Sequence, residues 1–294
     1  MPVSLAARGA LGIRLESSFA SGGGLDNWQV IESSSIQKTN QYIYQDRIRN
    51  TPEQVGGQFS HIIVSGQVVF PVTPTGPTQW WRCGIGGTGP YTPQIPLESM
   101  AVEIQEGQIG TVYTSGDMIT RLEFASRKGD ILRATANIEA ADMSSRAASS
   151  ATFLSGDDAF LHSECTFTLD GVANNDVESF QVIKENNNIT DLYGSTPRRR
   201  EIPATKAVVT GSISILFSDT GMRNRFFNQL PSRITANYVR GTRSFLIELN
   251  NINYDSSGRP LEGQTNFILE TLTFTAFTND PTAQNSIKVT VDQT

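Results

Sequence analysis

Histidine, cysteine and charge are all scarce in this 294-residue chain, and each scarcity closes a class of function. With only His61 and His162, a Ser-His-Asp relay or a histidine-held metal has few candidates. Both lie at strand starts, beside Ile62 and Leu161, where a surface or strand-end position is expected. Cys83 and Cys165 are far apart and form no Cys-x-x-Cys pair, so neither a disulfide framework nor a zinc site is indicated. Both read as small buried apolar residues. Charged residues make up only 18% of the chain, and Lys+Arg 23 against Asp+Glu 29 gives a net charge of −6, which disfavours a protein that neutralises phosphates. No stretch approaches the ~20 apolar residues of a membrane span. The opening MPVSLAARGALGIRLESSFASGGG also lacks a long apolar core, so a soluble product made in a cytoplasm is expected. Phosphate-cradling motifs are missing too. Gly22-Gly23-Gly24 and Gly84-Ile85-Gly86-Gly87 precede no strong helix and read as turns, and no cofactor is expected.

What replaces charge is Ser, Thr, Asn and Gln, a neutral-polar surface suited to packing against other protein copies. The organising feature is a weak internal repeat. HIIVSGQVVFPVTPTGPTQWW (61–81) aligns with KAVVTGSISILFSDTGMRNRFF (206–227), so that Gly66 meets Gly211, Thr75 meets Thr220 and Gly76 meets Gly221. Upstream, Thr51-Pro52 falls on Thr196-Pro197; with one residue of gap, Lys38, Asn40 and Ile43 fall on Lys184, Asn186 and Ile189. Val68, Phe70 and Val72 alternate along one strand face, as do Ile213, Ile215 and Phe217.

Each copy then carries a short helix. Pro77 precedes Trp80 and Trp81, and Ser218-Asp219-Thr220 precedes Met222, Phe226, Phe227 and Leu230. Farther on, MITRLEF (118–124) is expected to partner LRATANIEAA (132–141), and SFLIELNNINY (244–254) to partner NFILETLTFTAF (266–277). The reading is a mainly β chain of two tandem similar β-sandwich or barrel domains, 1–155 and 156–294, each with one short helix and a long β-hairpin arm. The boundary falls near Ser155-Gly156-Asp157-Asp158, after the small-residue stretch MSSRAASSATF.

The arms, roughly 38–62 and 184–206, are polar and hold the concentrated basic charge. Arg47 and Arg49 precede Thr51-Pro52, and Arg198, Arg199 and Arg200 follow Thr196-Pro197. A solvated tip and a contact role fit this composition equally. The acidic pairs Asp157-Asp158 and Glu103 with Glu106 read as solvated loop acids rather than a glycosidic or calcium centre.

A duplicated β-domain with one helix and a long arm resembles the tail tube proteins of long-tailed bacteriophages. The opening Leu11-Gly12-Ile13-Arg14-Leu15-Glu16-Ser17-Ser18-Phe19 looks like the Gly-x-x-x-Glu-x-x-[Phe/Tyr]-Gly start of such subunits, with Ala20 in place of the last Gly, and Trp28 to Ile36 adds to the likeness. The resemblance implies rings of six β-domains stacked into a tube, hence three copies of a two-domain chain per ring. It also implies a tape-measure protein and viral DNA in the lumen, terminator and distal tail proteins at the ends, and a virion-tail location after assembly in the host cytoplasm. On that footing Arg47, Arg49, Thr51, Pro52, Thr196, Pro197, Arg198, Arg199 and Arg200 are candidates for contacts between rings. Asp157 and Asp158 are candidate acceptors for them, and Glu123, Glu139, Glu248 and Glu270 are candidate lumen-lining acids. Rival readings are another tail component (distal tail, baseplate or terminator) and a carbohydrate-binding β-sandwich using Trp28, Trp80 and Trp81 as platforms.

Overall fold

The computed structural model describes residues 10–44, 56–106, 110–150, 158–216, 221–258, 268–279 and 285–294. The first part of the chain supplies β1 (Ala10–Leu15), β2 (Asn27–Gln29), β3 (Ser33–Ser34), β4 (Gln37–Tyr44), β5 (Gly57–Pro71), α1 (Gln79–Gly84), β6 (Met100–Glu106), β7 (Gly110–Arg127), β8 (Arg133–Ala140) and β9 (Asp142–Ser145). The second supplies β10 (Cys165–Leu169), β11 (Val172–Asn174), β12 (Val177–Glu185), β13 (Val208–Leu216), α2 (Gly221–Phe227), β14 (Ser232–Arg240), β15 (Arg243–Gly258), β16 (Leu269–Ala276) and β17 (Lys288–Asp292). The chain is therefore mainly β, with two short helices. Its strands join in one open antiparallel sheet.

The alternation in the sequence decides the faces. Along β5, Val64, Val68 and Phe70 point into the core, and along β16 Leu272, Phe274 and Ala276 do the same, while Thr271, Thr273 and Thr275 face the other way. Both expected partnerships form, β7 with β8 and β15 with β16. The pairings on either side of α1 and α2 run in the same order. β5 lies between β4 and β8, as β13 lies between β12 and β16; β6 lies between β1 and β7, as β14 lies between β10 and β15.

Register matches as well as order. Gly66 faces Ile138, which faces Ile119; Gly211 faces Phe274, which faces Tyr254. Both β7 and β15 are bulged one step on, between Ile119 and Arg121 and between Tyr254 and Ser256. The glycines have a steric reason. A Cβ on Gly66 would stand 2.3 Å from the Ile36 backbone, and one on Gly211 would stand 2.4 Å from the Gln181 carbonyl and from the Phe274 ring.

Between the two parts lies β12, whose Ser179–Glu185 pairs with Arg121–Arg127 of β7. This makes one path of strands, β4-β5-β8-β7-β12-β13-β16-β15. Behind it runs a core shared by both parts. Trp81 of α1 sits 5.2 Å from Phe124 on β7 and 5.2 Å from Phe245 on β15, ring centre to ring centre. Trp80 stacks on Phe70 at 4.5 Å. The expected capping segment Ser218-Asp219-Thr220 and most of the expected boundary lie outside the described residues.

Candidate assembly surface

The path of eight strands leaves one face away from the core, and its chemistry differs along its length. On the β12 to β15 side it is hydroxyl-rich: Ser214 and Thr271 hydroxyls meet at 2.9 Å, Ser256 and Thr273 at 2.6 Å, and Thr275 donates to Asp255 at 2.7 Å. On the β5 to β7 side it is charged, but the charges are matched. Arg121 pairs with Glu123 at 2.8 Å, and Gln181 Nε2 donates to the same carboxylate at 2.5 Å. Arg133 pairs with Glu32 at 2.8 Å and Asp130 at 2.6 Å. Arg127 and Glu185, exposed on the same face, belong to none of these pairs, so the face is matched in most of its charges rather than all.

Of the expected lumen acids, Glu123 and Glu139 lie on this face and each holds an arginine. Glu248 and Glu270 do not contribute to it. Glu248 is 8% exposed between Arg233 at 2.6 Å and Lys288 at 2.7 Å, and Glu270 is 4% exposed on the core side of β16, accepting from Ser257 at 3.1 Å. Glu270 shares the parity of Leu272, Phe274 and Ala276 and so falls on the core side, while Glu248 is enclosed by its two cations.

The two arms have different structures. The first is the β4–β5 hairpin, whose tip, with Arg47, Arg49, Thr51 and Pro52, lies outside the described residues. The second, expected as another hairpin, is an irregular loop closed by the isolated bridge between Tyr193 and Arg199. Pro197 and Pro203 lack the amide that a ladder needs. This loop folds back on the first part of the chain. Ile62 N–H donates to the Pro197 carbonyl at 2.9 Å, and the Tyr193 ring lies 4.5 Å from His61. Arg199 is buried, donating to the Val64 and Ala140 carbonyls at 3.1 and 3.0 Å and pairing with Glu139 at 2.6 Å. Arg198 pairs with Asp142 at 2.8 Å while staying largely exposed. Thr196 and Arg200 are exposed. Within the chain Arg198 and Arg199 pair with Asp142 and Glu139; the Asp158 carbonyl accepts from Arg240 at 2.8 Å, and Asp157 lies outside the described residues.

At the joint of β7 and β12 sits a buried polar cluster that no motif announced. Lys184 is 1% exposed; its Nζ donates to the Gly84 carbonyl at the end of α1, at 2.9 Å, and to Asn186 Oδ1. Asn186 Nδ2 donates in turn to the Gly84 and Ile119 carbonyls at 3.0 and 2.8 Å. Burial pulls the Lys184 ammonium down to about 7. The signal available in the sequence was the match of Lys184 and Asn186 to Lys38 and Asn40, a repeat match with no role attached.

Several other polar residues prove structural. The Glu16 carboxylate, part of the opening motif, gathers the amides of Ala20, Gly22 and Gly116 at 3.0, 2.8 and 3.1 Å and the Ser99 hydroxyl at 2.7 Å, folding the loop after β1 around itself. Glu103, expected in solvent, is buried and accepts from the Ser149 amide and hydroxyl, both at 2.8 Å. His162 is likewise buried: Nε2–H donates to the Val177 carbonyl at 3.0 Å, and Nδ1 accepts from Ser126 at 3.0 Å. Burial pushes Asp117 well above the usual carboxylate range and Cys83 above the ordinary thiol range. Trp80 and Trp81 are both in the core and offer no sugar platform. Among the described residues no cluster of three or more His, Cys, Asp or Glu side chains has the proximity to hold a metal, and no helix is long and apolar enough to cross a membrane.

The aromatic exposure is concentrated on the first arm. Tyr42, Ile43, Tyr44 and Phe59 all stand in solvent, with Tyr42 5.8 Å from Phe59 and 6.5 Å from Tyr44. Such a cluster of apolar rings marks a contact surface. Comparison with known proteins agrees with a role in assembly. No curated protein matches the chain, whereas a family model described as phage tail tube protein matches residues 6–276. The match spans β1 to the end of β16, so the chain belongs to the phage tail tube protein family, structural proteins of the virion tail that associate into a tube.

Proposed function

We propose that the chain is two copies of one β-domain and that three chains close a ring, with rings stacking into the conduit through which viral DNA leaves the particle. The observation that carries this reading is the β7–β12 joint. Within the chain it fastens the sheet of one part to the sheet of the other, edge to edge. Among the described residues two comparable edges have a partner on one side alone. β4 pairs only with β5, and the Asn253–Gly258 stretch of β15 pairs only with β16. An unpaired edge is a template for another strand, and a head-to-tail contact between unlike edges closes into a ring when its rotation does.

The outward face of the joined sheet then forms the lumen wall. Its hydroxyls and matched ion pairs hold little net charge, and Glu123 and Glu139 keep acid there beside the exposed cation Arg127. DNA and a tape-measure protein would slide past such a wall. The first arm, with its exposed aromatic rings, together with Arg47, Arg49, Arg198 and Arg200, reaches to the next ring; Arg199 and Pro197 act one step back by fixing the loop that presents them. Terminator and distal tail proteins would cap the stack at its two ends.

Electron microscopy of the purified full chain tests this reading. Hollow tubes with rings of three subunits are expected. A monodisperse monomer at high concentration overturns the assembly reading, and a single closed ring that never elongates favours a terminator or other adaptor of the tail instead.

A further inference from the structure

We infer that Lys38 and Asn40 form, between neighbouring copies of this chain, the clamp that Lys184 and Asn186 form inside it. The inference rests on the ring reading above and names the residues that would lock the ring.

Lys38 and Lys184 hold the same station in their sheets. Lys38 faces Val64 on β5 and Lys184 faces Val209 on β13, each two residues before the aligned Gly66 and Gly211. Inside the chain, the strand beyond Lys184 is β7 and the helix end beyond it is that of α1, whose Gly84 carbonyl takes both the ammonium and the amide. On the outer edge of the first part nothing equivalent lies beyond Lys38 among the described residues. Its side chain turns back to Asp142 at 3.2 Å and the Met143 carbonyl at 2.8 Å, and Asn40 is exposed. Asp142 does not depend on Lys38, because Arg198 holds it as well.

The receptor side is equally matched. α2 packs on β15 as α1 packs on β7. Tyr254 occupies the row of Gly211 and Phe274 as Ile119 occupies that of Gly66 and Ile138. The end of α1 is sealed, with Cys83, Gly84 and Ile85 buried, whereas the end of α2 leaves Phe227 63% and Leu230 50% exposed. That difference is what a missing neighbour produces: the second part of the chain covers the first, and a second copy covers the second. Carried over from the β7–β12 register, Thr39 of one copy falls opposite Ser256 of the next and Lys38 opposite Ser257. Lys38 Nζ then donates to a carbonyl of the last turn of α2, between Phe227 and Gln229, and Asn40 to the Tyr254 carbonyl.

The test uses the full chain. Lys38→Met with Asn40→Leu should shift the thermal midpoint of the unassembled protein by no more than the loss of one surface ion pair, since Asn40 is exposed and Arg198 still holds Asp142, while the concentration needed for assembly rises by about ten-fold or more, the loss expected for buried donors removed from a joint. Separately, Thr39→Cys with Ser256→Cys should give disulfide-linked subunits in assembled material under oxidation, and neither single cysteine should. Tubes that form at the wild-type concentration with the double variant overturn the clamp, as does assembled material in which the cysteine pair never links; the ring reading survives both results. A wild-type chain that never assembles overturns the ring reading and the clamp with it.

Discussion

The two halves of the eight-strand path are built alike and finished differently. At the β7 bulge the next strand, β12, is present, the helix end behind it is sealed, and a lysine is buried without a carboxylate. At the β15 bulge no next strand lies among the described residues, and the helix end behind it shows Phe227 and Leu230 to solvent. The comparison teaches that exposure here follows position in the path, not residue type. Apolar side chains at the end of α2 are bare where those at the end of α1 are covered.

Three contrasts sharpen that comparison. The largest effect should come from Trp81→Ala, which removes the ring linking Phe124 of one part to Phe245 of the other and leaves a cavity costing about 3–5 kcal/mol. Phe227→Ala at the bare helix end should change the unassembled chain by less than about 0.5 kcal/mol. Denaturant melts of both variants measure the contrast, and equal losses would mean that the bare end is already packed in solution.

Next in size is the pair of loop arginines. Arg199→Ala leaves Glu139 and the Val64 and Ala140 carbonyls without their buried donor and should cost about 1–3 kcal/mol. Arg198→Ala breaks a largely exposed pair with Asp142 and should cost about 1 kcal/mol or less. Thermal melts that ranked the two in the opposite order would contradict the docking of this loop on β5 and β8.

The smallest effect per step is a pH slope. Lys184 titrates near 7 in the fold against 10.5 for the free side chain, so the unfolded chain binds more protons between those values. The burial cost is therefore full below pH 7 and is relieved as pH rises toward 10.5. Relative to Lys184→Met, the wild type should gain up to about 1 kcal/mol per pH unit over that window. Parallel stability curves for the two proteins from pH 7 to 10 would show that the ammonium is not held out of water.

Much of this was legible in the residues. The period of two in Val64, Val68 and Phe70 and in Leu272, Phe274 and Ala276 marks strands with one buried face, because a pleat leaves no other choice. The aligned Gly66 and Gly211 mark close strand crossings, since any Cβ would collide there. The scarcity of charge pointed to a surface made for other proteins, in keeping with a family whose members associate. The arms and the acids were read less well. Pattern cannot tell that Arg199 turns inward to two carbonyls, or that Glu248 is enclosed by two cations.

By itself, then, the sequence determined the elements, their alternating faces and the matched stations of Gly66 with Gly211 and Lys38 with Lys184, because these depend on local sterics and period. Only the tertiary structure decided which edge is covered. Whether a lysine at such a station ends buried against Gly84 or returns to Asp142 depends on a strand more than fifty residues away in the chain, and no local pattern records that strand's arrival.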